Sequence, residues 1–395
     1  MTTKSNLSKL ISLTCYRVKD SIPAVRSHPK LSLFLRRHLS VLVSALLLLG
    51  TNSHAFADPG LLFVSLAGDK KIVSYRQDSE TGTLTKIAEL AIEAEPGYLS
   101  ANKNGTRLFA AYRSSGELAS YQIDSTTGRL NLISKVNGGA DPAYVALDRS
   151  ETYLMSAYYR AGKVGIHRVD QSGRILDEEV NYYPTNQKAH AILTDPTNGW
   201  ALVPHTGPNA VYVFSLSGEN GRLLPSSPPL AYTGTLTGPR HLQFHPSLDK
   251  VYFDNEQGSS VSVFVFDSQI GQLSHLQTLP TLPVTYNKSN SCADLELTPD
   301  GRFLYASNRG HNSIAGYVVD QNTGKLTSLG QFKTEAIPRS FTISPSGKWL
   351  VVAGQETDHL QSYHIETSTG QLIPRQRIQT GSRPWAVISI APTAQ

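Results

Sequence analysis

Beyond residue 60, hydrophobic and polar positions alternate in short runs separated by Gly, Pro, Asp and Asn. This is the pattern of half-buried strands joined by tight turns, with few stretches of helical period. The stretch 238–256 is representative. Arg240 opens a strand, Leu242 and Phe244 are its buried face, and His245-Pro246-Ser247 leads into a turn. Val251 to Phe253 is the returning strand, and Asn255-Glu256 leaves at a loop. A hairpin returns its two ends to one side, so Arg240 and Glu256 are predicted to share a face.

This hairpin recurs. Taking as anchor the residue seven places before each turn gives Pro96, Pro142, Ala189, Pro239, Cys292, Pro338 and Pro384, spaced 46, 47, 50, 53, 46 and 46. The unit after Pro338 contains four strands, at 340–343, 348–353, 360–365 and 372–378. The element Asp/Glu-x-x-Thr-Gly-x-Leu, which turns the third strand into the fourth, recurs at 78–84, 124–130, 320–326 and 366–372. A period near this length suits one four-stranded blade of a β-propeller. Six units are complete or nearly so. The seventh is divided: 61–67, 71–76 and 84–90 supply three strands, and 384–390 supplies the missing inner one. The expected architecture is all-β, a seven-bladed propeller over 58–395 whose ring is closed by a blade shared between the two termini, which hides the edge strands.

In such a ring the start of each inner strand and the loop after the second strand share one face. The position after each anchor holds Gly97, Ala143, His190, Arg240, Ala293, Arg339 and Trp385. The position seventeen after it holds Arg113, Tyr159, Thr206, Glu256, Arg309 and Gln355 in the undivided blades. One mouth is thereby predicted to carry His190, Arg240, Glu256 and Arg309, with Arg339 next to them. A His, a carboxylate and several Arg can bind an anionic or carbonyl-bearing ligand and move a proton. Gln355 and His311, the latter in the loop of Arg309, join Arg339 as candidate substrate contacts. Each residue also has a plainer reading. Arg240 and Glu256 can be a structural ion pair, Arg309 a loop cap, His190 a channel-lining polar residue, and Arg113 a solvated loop residue. His241, His245 and His311 resemble a metal set. Strict alternation, however, turns His241 away from Arg240 and puts His245 at the far end of its strand, so no metal is expected. No cofactor motif, nucleophile elbow, phosphate loop or metalloprotease motif is present.

The formal charge of +5 is misleading. Eight of the 36 Lys/Arg and one of the 31 Asp/Glu lie in residues 1–57, leaving 28 basic and 30 acidic residues beyond. The body gives no reason to expect nucleic-acid binding. Residues 1–57 read as an export leader: Arg36-Arg37, an apolar run from Leu39 to Leu49 too short to span a bilayer, then Ala55-Phe56-Ala57 with cleavage expected after Ala57. Twin-arginine export and an uncleaved anchor are the alternatives. Cys15 leaves with the leader, and Cys292 alone cannot form an internal disulfide. The mature protein is expected to be periplasmic or secreted, monomeric and free of the membrane.

Gly238-Pro239-Arg240-His241, Phe244-His245-Pro246, Asn255-Glu256, Pro338-Arg339-Ser340-Phe341 and the run from Pro299-Asp300-Gly301 to Ser307-Asn308-Arg309-Gly310-His311 carry a resemblance. Over nearly all of 58–395 the chain resembles the propeller lactonases, which include 6-phosphogluconolactonases and fungal carboxymuconate cycloisomerases. The resemblance implies a catalytic cluster at His190, Arg240, Glu256 and Arg309. The family's His-Pro-His is Lys188-Ala189-His190 here, and its Ala-Asn-Gln is Ala353-Gly354-Gln355. The resemblance implies a metal-independent lactonase acting on a sugar-type or carboxylated lactone. Arg240 and Arg309 would hold the carbonyl oxygen or an acidic group, and Glu256 or His190 would activate water. A muconate-type cycloisomerase and a non-catalytic binding platform are the other two readings.

Overall fold

The computed structural model describes residues 60–391. The leader, its cleavage point and Cys15 lie outside the described residues. Twenty-eight strands and no helix form between Gly60 and Ile390 among the described residues. They pair into seven four-stranded antiparallel sheets, each a meander except one. In that one, the C-terminal strand β28 (Pro384–Ile390) lies beside β1 (Gly60–Leu66), followed by β2 (Lys71–Gln77) and β3 (Leu84–Ala91). Six residue pairs join β28 to β1, from Leu61 with Ile390 to Leu66 with Pro384. The shared blade expected from the sequence is therefore present.

Why the strands pack this way follows from their sequences. Inner and middle strands such as β17 (Lys250–Asn255) and β21 (Phe303–Asn308) are buried along their whole length, because a neighbouring blade covers each face. The fourth strands, such as β3, alternate and expose one face. The Thr-Gly turns fit this scheme closely. Asp78 Oδ1 accepts the Thr81 amide at 2.7 Å, and Gly82 has φ of +70°. A Cβ at Gly82 would lie 2.3 Å from the Trp349 ring of the adjacent blade, so glycine is required both by conformation and by space.

Six inner strands begin on their predicted anchors: β4 (Pro96–Ala101), β8 (Pro142–Leu147), β16 (Pro239–Phe244), β20 (Cys292–Leu297), β24 (Pro338–Ile343) and β28. The seventh departs from expectation. The segment after Lys188 makes only an isolated bridge between Ala189 and His205, then a two-residue strand at Leu193–Thr194.

A second departure matters more. Strict alternation fails at the head of the inner strands. In β16, Pro239 pairs with Asn255 and Leu242 with Phe253, so two residues, Arg240 and His241, oppose Asp254 alone. The same irregularity occurs after Pro96, Pro142, Cys292 and Pro338. A bulge of this kind re-aims side chains. The amide it strands is recovered by a side chain: His241 N–H donates to Asp254 Oδ1 at 2.7 Å, Asp294 N–H to Ser307 Oγ at 3.0 Å, and Ala386 N–H to Ser65 Oγ at 3.0 Å.

Candidate active site

The backbone brings the two predicted positions together by one repeated hydrogen bond. In five blades the amide of the residue seventeen after the anchor donates to the carbonyl of the residue just before the anchor. Tyr159 bonds Asp141, Thr206 bonds Lys188, Glu256 bonds Gly238, Arg309 bonds Ser291 and Gln355 bonds Ile337, at 2.7–3.2 Å. The loop residue of each blade is thus pinned beside the head of its own inner strand.

Side chains continue this into a ring around the mouth. Arg309 Nη2 lies 3.0 Å from Glu256 Oε1, and Arg240 Nε 3.4 Å from Glu256 Oε2. Arg309 Nη2 also donates to the Cys292 carbonyl at 2.8 Å. The His190 ring stands edge-on to Tyr159 at 5.6 Å and lies 5.2 Å from the His241 ring. Arg339 lies over Trp385 at 3.8 Å, and Arg113 approaches both Trp385 and Tyr159 at 5.8 and 5.6 Å. His190, Arg240, Glu256, Arg309 and Arg339 therefore occupy one mouth. Gln355 is half-buried at the equivalent register of its blade. His311 is held in its loop, with Nδ1 2.8 Å from Ser313 Oγ and its ring against Tyr286 at 4.8 Å.

Two sequence expectations are corrected. Arg113 is not a solvated loop residue. It makes a bidentate pair with Asp141 at 2.7 and 2.8 Å and, with Trp385 and Arg160, lines a cavity of about 390 Å³ beside the cluster. His241 does not face away from Arg240. The bulge turns it inward, where Arg240 Nη1 is 3.1 Å from its Nε2 and Asp294 Oδ1 is 2.7 Å from its Nδ1. The position two after the anchor thus forms an inner layer below the mouth, with Tyr98 and Tyr144 stacked at 4.0 Å and both edge-on to His241. His245 does sit at the far end, where its Nδ1 accepts the Ser247 and Leu248 amides. Among the described residues no three His, Cys, Asp or Glu side chains converge as a metal cluster.

The electrostatics of the mouth follow from this crowding. Burial raises the proton affinity of Glu256, but Arg240 and Arg309 outweigh it and hold the carboxyl below its ordinary value. Burial, then the charges of Arg240 and Arg339, push His190 well below the ordinary histidine value, so its imidazole is neutral near pH 7. Arg339 is depressed by burial first, then by Arg240, Arg309 and Arg113. It lies over the face of Trp385, and among the described residues no carboxylate forms an ion pair with it. Among the described residues, four buried atoms at the mouth lack hydrogen-bond partners: His190 Nδ1, Thr206 Oγ1, Arg240 Nε and Arg309 Nε. Native proteins rarely leave such groups unpaired except where a ligand or water completes them.

Fold and mouth together define an all-β propeller whose mouth gathers guanidiniums, one carboxylate and a histidine. Comparison with known proteins narrows this. A family model described as "Lactonase, 7-bladed beta-propeller" matches residues 51–388, and the chain belongs to that family. A 6-phosphogluconolactonase of Pectobacterium carotovorum subsp. carotovorum (strain PC1) is 31% identical over 330 residues, 84% of this chain and 85% of the relative. A 6-phosphogluconolactonase of Yersinia pestis (strain Pestoides F) is 37% identical over 201 residues, covering 50% of this chain and 60% of that protein. A solved periplasmic gluconolactonase of Pseudomonas aeruginosa superposes with a TM-score of 0.78 at 26% identity, over 84% of this chain and 99% of that one.

Proposed function

We propose that the mouth hydrolyses a lactone that carries an anionic substituent. The observation that carries this reading is the set of guanidiniums at the mouth: Arg240 and Arg309 share the carboxylate of Glu256, and among the described residues Arg339 has no carboxylate within ion-pair distance. A neutral ligand would leave this positive field uncompensated, whereas a phosphate or carboxylate would complete it. The 6-phosphogluconolactonase relatives support the lactone class.

The reaction needs a nucleophile, a base and an oxyanion site. Both Glu256 oxygens are engaged by arginines, which suits that carboxylate to holding Arg240 and Arg309 rather than to taking a proton. His190 is neutral and its Nδ1 has no partner, so His190 is the better base. Water attacks the lactone carbonyl carbon as His190 takes its proton. Arg240 and Arg309 stabilise the oxyanion that forms. As the ring C–O bond breaks, the imidazolium returns its proton to the leaving alkoxide, and the open hydroxy acid departs. The depressed proton affinity of His190 makes its protonated form a ready acid for that second step.

A pH-stat panel tests the reading with a phosphorylated sugar lactone, a carboxylated lactone and neutral gluconolactone, each with and without chelator. Turnover of the two anionic substrates, unaffected by chelator, is expected. Proton uptake or release with a muconate-type dicarboxylate alone would instead favour the cycloisomerase direction.

Residues 1–57 are proposed to be an export leader, in keeping with the periplasmic structural neighbour. Among the described residues no helix is long and apolar enough to cross a membrane. Mass spectrometry of the periplasmic fraction should find a mature N-terminus at Asp58. An intact leader on a cytoplasmic protein would reverse this.

A further inference from the structure

The layer beneath the mouth holds a His–carboxylate pair that the reaction as written does not use. His241 and Asp294 are each 4% exposed. A guanidinium can only donate and an ionised carboxylate can only accept. With Arg240 Nη1 at 3.1 Å from Nε2 and Asp294 Oδ1 at 2.7 Å from Nδ1, one proton placement satisfies all three groups. His241 is then neutral, donates through Nδ1–H to Asp294, and accepts from Arg240 at Nε2.

The pair is rigidly mounted across three blades. Asp294 Oδ1 also accepts the Leu295 amide at 3.0 Å, and Oδ2 accepts the Phe341 amide from the next inner strand at 3.2 Å. The His241 amide is held by Asp254, and its ring is flanked edge-on by Tyr98 and Tyr144 at 5.7 and 5.4 Å. Arg240, by contrast, is poorly fixed from the mouth side. Glu256 approaches its Nε at 3.4 Å without making a hydrogen bond, is shared with Arg309, and is 23% exposed. The hydrogen bond that sets the rotation of the Arg240 plane therefore comes from below.

We propose that the buried His241–Asp294 pair is the positioning device for Arg240, fixing the guanidinium edge that meets the substrate while a neutral imidazole keeps its charge available. A carboxylate in direct contact at Nη1 would hold the group equally well but would neutralise it. The interposed ring separates orientation from charge compensation. This inference rests on Arg240 acting on an anionic part of the ligand, as in the lactonase reading.

The test is a mutant cycle. His241→Ala, His241→Gln and Asp294→Asn are made in the wild-type and the Arg240→Ala backgrounds, with melting temperatures recorded. With the lactone that the wild type hydrolyses, His241→Ala should lower kcat about tenfold to a hundredfold, the scale expected for a catalytic group displaced by about an ångström. KM should change by less than about threefold, because the interaction strengthens in the transition state. His241→Gln, whose Oε1 can accept from Arg240, should recover part of the loss. In the Arg240→Ala background, His241→Ala should cost less than about twofold, since residues that act through one another are non-additive. The same cycle read by inorganic phosphate binding in a calorimeter should show the same non-additivity, and it applies whether or not a lactone is turned over. A folded His241→Ala protein with unchanged kcat and phosphate affinity would overturn the proposal. So would an equal loss in both backgrounds, which is what a purely structural role gives. Absence of all lactone turnover by the wild type, with the phosphate cycle still coupled, would overturn the lactonase reading and leave this one standing.

Discussion

Replacing Glu256 by Gln keeps the side-chain shape and removes the one carboxylate shared by Arg240 and Arg309. The distances are 3.4 and 3.0 Å, and Arg240 is nearly fully buried. At an effective dielectric near 20, each such contact is worth about 5 kcal/mol before desolvation. Most of that is cancelled by burial. Breaking a buried pair from one side nevertheless costs about 3–5 kcal/mol, because the remaining cations lose compensation. The carboxylate is a quarter exposed, which places the expected loss near the lower figure, about 3 kcal/mol. Differential scanning calorimetry should register this as a melting temperature lower by several degrees. Phosphate or sulfate should restore more stability to the variant than to the wild type, by binding where the carboxylate was. Turnover per folded molecule should fall about a hundredfold, the scale of losing one oxyanion donor, as Arg309 loses the carboxylate that holds it. A variant that melts lower yet hydrolyses lactone at the wild-type rate would show that Glu256 is a structural ion pair only, and the mouth would not be the reaction centre.

Four further outcomes follow. Ending the chain at Arg383 removes β28 with its buried Ala386, Val387 and Ile390 and exposes the edge of β1. It should leave an aggregation-prone protein, and a soluble truncation melting cooperatively at the wild-type temperature would refute the closure. Burial pushes His167 and His205 down to about 4. The unfolded chain takes these protons near pH 6.5 and the native one does not, so stability should fall as pH drops through that window, by about 1.4 kcal/mol per unit for each group. Urea midpoints that stay constant between those pH values would contradict it. His190 lies well below its ordinary value, so kcat/KM should show no histidine-like acid limb near 6.5. Arg339→Met should lower kcat/KM for anionic lactones roughly tenfold or more while sparing neutral gluconolactone, and equal losses on both would remove Arg339 from substrate recognition.

The sequence made the ring legible because its signal is periodic. Anchors recurring near 46 residues and the Asp-x-x-Thr-Gly turns report a unit whose side chains meet the same neighbours in every blade. The mouth was legible for the same reason: Arg240 falls at one repeated position and Glu256 and Arg309 at another, and a backbone hydrogen bond recurring from blade to blade brings the two positions together. The inner layer was hidden because period-two alternation assumes an unbroken ladder. The bulge after Pro239 inserts one residue and sends His241 to the side that alternation denies it. A cue did exist. His241 and Asp294 are both polar at the position two after an anchor, in adjacent blades, each followed by a leucine. Arg113 was misread because its partner, Asp141, precedes the anchor of the next blade. Such pairing across blades leaves no trace in the spacing within one.

The most direct test of the central claim is the hydrolysis of a phosphorylated sugar lactone by Arg240→Ala and Arg309→Ala, measured by pH-stat per folded molecule. Each change removes a donor to the developing oxyanion, and each should lower kcat by roughly a hundred- to a thousandfold at an unchanged circular dichroism spectrum. Wild-type rates from either folded variant would contradict the account and leave the propeller as a binding platform.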